Sequence, residues 1–268
     1  MTDSQAAVLG CIVWSPNDAI PGVKLLKNVT SHRKQFIDDA LETQKNAPES
    51  RVLLFVHGCC TPHDAAMEKA AQATLWYRCP VIMYDWDSPM WNYSNIWSAA
   101  DYHRNEDHCA AAEKRFVELV NELEGKLDVT KIGALAHSMG NRLLDAYIVQ
   151  RHAKNSKDPI HHPQLMLLEF ANADLSTIRA SGNLPFYTES AVKCRIYVDN
   201  EDPALEASRK IHSGNRVGAP HAQLDLLTSK EILAPDVIDH VSISGKTHDL
   251  PFWLCSDLSN FGGCELTI

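Results

Sequence analysis

Residues 131 to 141, K-I-G-A-L-A-H-S-M-G-N, form an apolar run that stops at Ser138, with Ala136 and Gly140 two positions to either side. A serine so placed has the form of a nucleophile elbow, a strand-to-helix turn tight enough that its flanking residues must be small. The usual pattern is G-x-S-x-G, and here an alanine takes the first small position. A serine hydroxyl is a weak nucleophile near neutral pH. It needs a histidine base, itself oriented by a buried carboxylate. In a fold built on such an elbow the chain order is serine, acid, histidine, each on a loop at the end of a strand.

The downstream chain offers candidates for both partners. Asp202 follows the apolar run at 193 to 199 within V-D-N-E-D-P-A-L, and His248 follows the last such run within S-G-K-T-H-D-L-P-F-W. Asp202 is preferred as the acid for its turn-forming N-E-D-P context, with Asp174 (A-N-A-D) and Asp199 as open alternatives. His240 rivals His248 as base, but its place inside D-V-I-D-H-V-S-I marks a strand residue. His137 belongs to the elbow and is expected to point elsewhere by strand alternation. Acyl transfer also requires N–H donors for the oxyanion. The run at 51 to 57 ends in His57-Gly58-Cys59-Cys60, so the backbone N–H groups of Cys59 and Met139 are the expected oxyanion hole.

These residues need a scaffold that brings distant loops to one edge. Strand-like runs fall at 7–14, 51–57, 80–86, 131–137, 165–171, 193–199 and 236–243, most of them short and continuously apolar, as in buried parallel strands. Helical patterns lie between them, at 64–78 with Asp64 as its cap, at 106–126, and from Gly140 to about Lys154. The alternation predicts an α/β fold with a mostly parallel sheet and helices on both faces, a three-layer sandwich. The expected organisation is a single domain over 1–268, with candidate cap or loop elements at 86–105 and 203–235. The first of these carries Trp86, Trp91, Tyr93, Trp97 and Tyr102. His57, Gly58, Trp86, Trp91 and Tyr93 are therefore candidate pocket residues, although the aromatic stretch would serve a structural anchor equally well.

From about Arg51 to Cys255 the chain resembles the α/β-hydrolase superfamily. It is most similar to a little-characterised branch with a strand ending in H-G, a Trp-containing strand end, a Y-x-x-x-x-D-like loop and the elbow A-H-S-M-G-N. The matching segments are L-L-F-V-H-G (53–58), Y-D-W-D-S-P (84–89), the Tyr93 to Asp101 loop and A-H-S-M-G-N (136–141). The resemblance also implies an acid turn followed by A-L and a helix with serine and arginine, as in E-D-P-A-L-E-A-S-R (201–209), which again favours Asp202. W-D-S-P stands where similar proteins often have W-P-S, and Cys59-Cys60 follows H-G in place of a bulky or polar pair. The implied activity is a serine hydrolase acting on a small-molecule ester through a Ser138-Asp202-His248 triad. Amide, thioester and lactone cleavage by the same residues is the alternative, and a binding module with a vestigial elbow is the reading from another class.

Composition narrows the rest. With 268 residues, 45% hydrophobic and 22% charged, the chain has the make-up of an ordinary globular protein. A net charge of -9 argues against a nucleic-acid partner. No apolar stretch approaches the ~20 residues of a membrane span, and the first residues lack a signal pattern, so a cytoplasmic protein is expected. The eight cysteines (Cys11, Cys59, Cys60, Cys79, Cys109, Cys194, Cys255 and Cys264) include no C-x-x-C pair and are expected to be reduced and mostly buried, with Cys255 and Cys264 the exceptions. His161-His162 and His103 with His108 lack metal-site spacing, so neither metal nor cofactor is expected. The vicinal Cys59-Cys60 pair invites a redox role, against a reading as inert thiols.

Overall fold

Each of the seven strand-like runs in the sequence becomes a strand, and one further strand is built from a more polar segment. The computed structural model describes residues 9–14, 23–29, 33–89, 99–155, 163–199, 201–219, 238–243 and 248. Its strands are β1 (Leu9–Trp14), β2 (Val23–Val29), β3 (Val52–Val56), β4 (Val81–Tyr84), β5 (Ile132–His137), β6 (Leu167–Ala171), β7 (Cys194–Asp199) and β8 (Ile238–Ile243). They form one sheet in the order β2-β1-β4-β3-β5-β6-β7-β8. Strands β3 to β8 run parallel, and β1 is antiparallel to both β2 and β4. The helices are α1 (Arg33–Asn46), α2 (His63–Tyr77), α3 (Ala99–Glu124), α4 (Asn141–Asn155), α5 (Thr177–Ser190) and α6 (Pro203–His212).

Strand alternation divides the core between the two faces of the sheet. On β3, Val52, Leu54 and Val56 join one cluster with residues of α1, α3, α4 and α5, while Leu53 and Phe55 join Ala66, Ala70, Ala73 and Tyr77 of α2 on the other. This is a three-layer α/β arrangement, with helices on both faces of a mostly parallel sheet. Helix α3 shows why its sequence folds so: Tyr102, Cys109, Ala112, Phe116, Val120 and Leu123 are buried at helical spacing. No helix among the described residues is long and apolar enough to cross a membrane.

Several expectations are corrected. Helix α2 starts at His63 with Pro62 at the cap, leaving Asp64 in the first turn, where its charge suits the helix dipole. The connection at 86–105 is shorter than expected, because residues from Ala99 onward belong to α3; residues 90–98 lie outside the described residues. The segment at 203–235 is no free-standing cap in its described part. Residues 203–212 form α6, and beyond it Val217 N donates to Leu175 O (3.0 Å) and Gly218 N to Ala173 O (3.0 Å). A Cβ at Gly218 would stand 2.4 Å from Ala173 N, so only glycine permits that approach. Residues 220–235 lie outside the described residues, as do Trp91, Tyr93, Trp97, His161, His162, Cys255 and Cys264.

Candidate active site

The C-terminal ends of the parallel strands meet along one edge, in register Val56 with Ala136, Ala136 with Phe170 and His137 with Ala171. At that edge Ser138 takes φ 50°, in the left-handed region. Such a conformation costs a non-glycine residue about 1–2 kcal/mol and persists only where its surroundings hold it. Three contacts do so. Asn141 Nδ2 donates to Ser138 O (2.9 Å) and Ala171 O (3.2 Å), and Asp174 N donates to Ser138 O (3.2 Å). The final Asn of A-H-S-M-G-N is thus a brace for the turn, a role the sequence reading did not assign.

The small residue at 140 has an equally direct cause. A Cβ there would lie 2.4 Å from His57 O and 2.9 Å from Val56 O, both backbone atoms that cannot rotate away. Gly140→Ala is expected to lower stability by roughly 1–3 kcal/mol through forced movement of the β3 end. Urea unfolding of the variant checks this, and an unchanged midpoint would contradict the packing argument.

His248 and Asp202 complete a chain of hydrogen bonds with Ser138. His248 Nε2 lies 2.6 Å from Ser138 Oγ, and His248 Nδ1 lies 2.7 Å from Asp202 Oδ2. An ionised carboxylate only accepts, so Nδ1 carries the proton and the Nε2 lone pair faces the serine hydroxyl. Asp202 is buried and is the N-cap of α6: its Oδ1 accepts from Ala204 N (2.8 Å) and Leu205 N (3.0 Å), and Asn172 Nδ2 donates to Oδ2 (3.3 Å). Burial by itself would lower the affinity of His248 for a proton, but the hydrogen bond and charge of Asp202 outweigh it and raise the pKa. Chemically, this arrangement can take a proton from a serine and hold it on an imidazole.

The turn after β3 lies against the elbow. A Cβ at Gly58 would be 2.9 Å from both Ser138 Cβ and His137 Nδ1, so the chain leading to Cys59 passes directly beside the serine. Asp85, just beyond β4, fixes this turn. Its carboxylate meets His57 Nε2 (3.1 Å) and His63 Nδ1 (2.9 Å) and accepts from Asp87 N (3.1 Å). Burial would push the Asp85 pKa up, yet these bonds hold it at about 2. Trp86 stacks on His57 with ring centres 5.6 Å apart, and its Nε1 donates to His57 O (2.8 Å). Both side chains are buried, at 0% and 2% exposure. His57 and Trp86 are therefore framework, and the expectation that they line a pocket is corrected.

The family model described as "Alpha/beta hydrolase of unknown function (DUF900)" matches residues 31–248. The chain belongs to that family. Among curated proteins no sequence match was found. Solved structures similar to this α/β hydrolase include a dienelactone hydrolase-like promiscuous phosphotriesterase from metagenomic libraries, at 10% identity over 74% of this chain and 71% of that one, TM-score 0.45. A Pyrobaculum calidifontis esterase is 12% identical over 85% of each chain, TM-score 0.41. A cold-adapted esterase from an Arctic intertidal metagenomic library is 11% identical over 78% and 82%, TM-score 0.45. Likeness this distant is silent on chemistry.

The remaining candidates of this α/β hydrolase sit elsewhere in its framework. Asp174 is buried in a network of its own: Ser208 Oγ donates to Oδ1 (2.6 Å), Tyr102 OH donates to Oδ2, and Arg142 Nη2 (3.4 Å) and Arg216 Nε (3.4 Å) flank it. Burial opposes its charge, but the two guanidinium groups keep its pKa below the usual carboxylate value. Asp199 Oδ1 accepts from Glu201 N (2.9 Å), and His240 lies within β8 opposite Ile196. His137 does not point away from the site as expected. Its ring centre is 5.1 Å from that of His248, and burial, reinforced by the charges of Lys69 and His248, holds it neutral. Among the described residues no group of three His, Cys, Asp or Glu side chains is spaced to hold a metal ion.

Proposed function

We propose that this α/β hydrolase is a serine hydrolase that cleaves a carboxylic ester through an acyl-enzyme. The observation that supports this reading most directly is the continuous chain Ser138 Oγ, His248 Nε2, His248 Nδ1, Asp202 Oδ2, with links of 2.6 Å and 2.7 Å. In the first step Ser138 Oγ attacks the ester carbonyl as its proton passes to His248 Nε2. The oxyanion that forms accepts from the amides of Cys59, on the turn after β3, and Met139, the residue after the nucleophile. His248 then gives the proton to the departing alkoxide. Water, deprotonated by the same imidazole, attacks the acyl-enzyme and releases the acid. Asp202 keeps the proton on Nδ1 throughout and stabilises the transient imidazolium.

A panel of p-nitrophenyl esters of increasing chain length, together with a fluorophosphonate probe, tests the reading. Turnover and covalent labelling at Ser138 are expected, and a folded protein that shows neither would refute it. A matched amide series then separates esterase from amidase activity.

The pH profile carries a further expectation. Only neutral His248 can act as base, and its pKa is raised above 6.5. The acid limb of kcat/KM is therefore expected above pH 6.5, with activity rising as pH increases through it. A limb below that value would contradict the pairing of His248 with Asp202.

A further inference from the structure

Cys59 and Cys60 are free thiols on the turn that passes Ser138, and both are partly exposed. Neighbouring side chains on an extended chain diverge, but Cys60 has φ 58°, and this left-handed kink brings the two Sγ atoms to 3.3 Å. The kink is held from both sides. Thr61 Oγ1 donates to Cys59 O (3.1 Å), and Cys60 N donates to Ser88 Oγ (2.5 Å). We infer that Cys59 and Cys60 form a thiol–disulfide exchange site for low-molecular-weight disulfides of the glutathione type, and that closure to a vicinal disulfide shuts down the hydrolase. The second half rests on the proposed function; the first does not.

The two thiols are not equivalent. The Cys60 S–H donates to Cys59 Sγ, which favours the thiolate at Cys59 and keeps the proton on Cys60; the nearby His248 adds to the effect at Cys59. Cys59 is accordingly the attacking thiolate. Its sulfur bonds to one sulfur of the small disulfide, the S–S bond breaks, and the first small thiol leaves, taking up a proton from solvent. Cys60 then loses its proton and attacks Cys59 Sγ, which forms the Cys59–Cys60 bond and expels the second small thiol. The second small thiol leaves with the proton from Cys60, so the protein gives up two electrons and the disulfide becomes two thiols, one protonated from solvent and one from Cys60.

Closure disturbs the site because the turn has no slack. A disulfide needs the sulfurs at about 2.05 Å and normally spans Cα atoms at least ~4.4 Å apart. Adjacent residues across a trans peptide are held at about 3.8 Å, so the Cys59–Cys60 peptide must distort. Upstream the chain passes so close to Ser138 that a Cβ at Gly58 would stand 2.9 Å from the Ser138 Cβ, which leaves little room for the backbone to shift there. The distortion falls on the segment that carries the Cys59 amide. A vicinal disulfide strained in this way is also readily reduced, which makes the modification reversible.

The test treats reduced full-length protein with oxidised glutathione, caps the remaining thiols, and reads the Cys59–Cys60 peptide by mass alongside ester turnover. The expected product is that peptide lighter by two hydrogen atoms and without a glutathionyl group. The oxidised fraction should turn over roughly 10²-fold more slowly, as on loss of one oxyanion donor, and dithiothreitol should restore it. Cys60→Ser should retain basal turnover and stop at a stable glutathionyl adduct on Cys59. A peptide that never loses the two hydrogens, or one that loses them with turnover unchanged, overturns the inference. If reduced protein cleaves no ester yet the closed peptide still appears, the exchange site stands and the hydrolase reading falls.

Discussion

Ser138→Ala is expected to lower ester turnover by about 10⁴-fold or more, because in the proposed mechanism it removes the nucleophile and leaves only the proposed oxyanion donors and the binding surface to supply residual catalysis. The comparison is clean because alanine deletes one oxygen at a position whose backbone is held by Asn141 and the Asp174 amide, and neither bond involves the serine side chain. The fold is expected to lose at most about 1 kcal/mol, the worth of the Ser138–His248 hydrogen bond. Initial rates on the best chromogenic ester, with thermal unfolding as the control, provide the measurement. Undiminished turnover would remove Ser138 from the mechanism. Loss of turnover together with a collapse in melting temperature would instead assign the serine a structural role.

The second large effect separates two jobs performed by one carboxylate. Asp202 orients His248 through Oδ2 and caps α6 through Oδ1. Asn is nearly as good an N-cap as Asp, so Asp202→Asn keeps an oxygen for the amides of Ala204 and Leu205. Its NH₂ cannot accept from His248 Nδ1, however, and the imidazole turns to the tautomer that presents N–H to Ser138. Activity is expected to fall about 10⁴-fold with a smaller loss of stability than in Asp202→Ala. Both variants take the acceptor at Oδ2 from Asn172 Nδ2, but the alanine variant alone also loses the cap, at about 1 kcal/mol. Paired measurements of kcat/KM and urea midpoints should therefore show both variants inactive and only the alanine variant clearly less stable. If the asparagine variant keeps kcat/KM within tenfold of wild type, another group orients the histidine.

Asp174 shows why the choice of acid needed tertiary information. In the sequence, Asp199 ends a strand-like run and Asp174 and Asp202 lie just beyond one, so all three are candidates for the acid. Asp174 is surrounded by Arg142 and Arg216 from elements distant in the chain, which draw its charge into a structural network, whereas Asp202 is left with one oxygen facing His248. His57 and Trp86 make the same point. Their residue types suit a pocket, but Asp85 and the end of β3 enclose them, and only the packing of β4 against β3 reveals it.

Elements went unread where local signals ran against the fold. Strand β2 interleaves Lys24 and Lys27 with its apolar residues, the mixed pattern of a sheet edge, where it pairs antiparallel with β1. Helix α5 contains Gly182 and Pro185, which disfavour helix, yet Arg179, Asn183 and Tyr187 all bond to Asp145 of α4. Among the described side chains of helix α1, the buried ones are Phe36, Ile37, Ala40, Thr43 and Gln44, in an otherwise mostly polar stretch.

The parallel core of the sheet and the tight turn at Ser138 are legible in the order of residues, because both answer local demands: continuous apolar runs for strands buried on two faces, and small residues where the chain turns too tightly for side chains. Which carboxylate faces His248, which aromatic residues are framework, and that Cys59 and Cys60 touch beside Ser138 emerge once the chain is folded. Those outcomes depend on groups far apart in the chain that compete for the same few hydrogen-bonding positions, and no local pattern records which of them prevails.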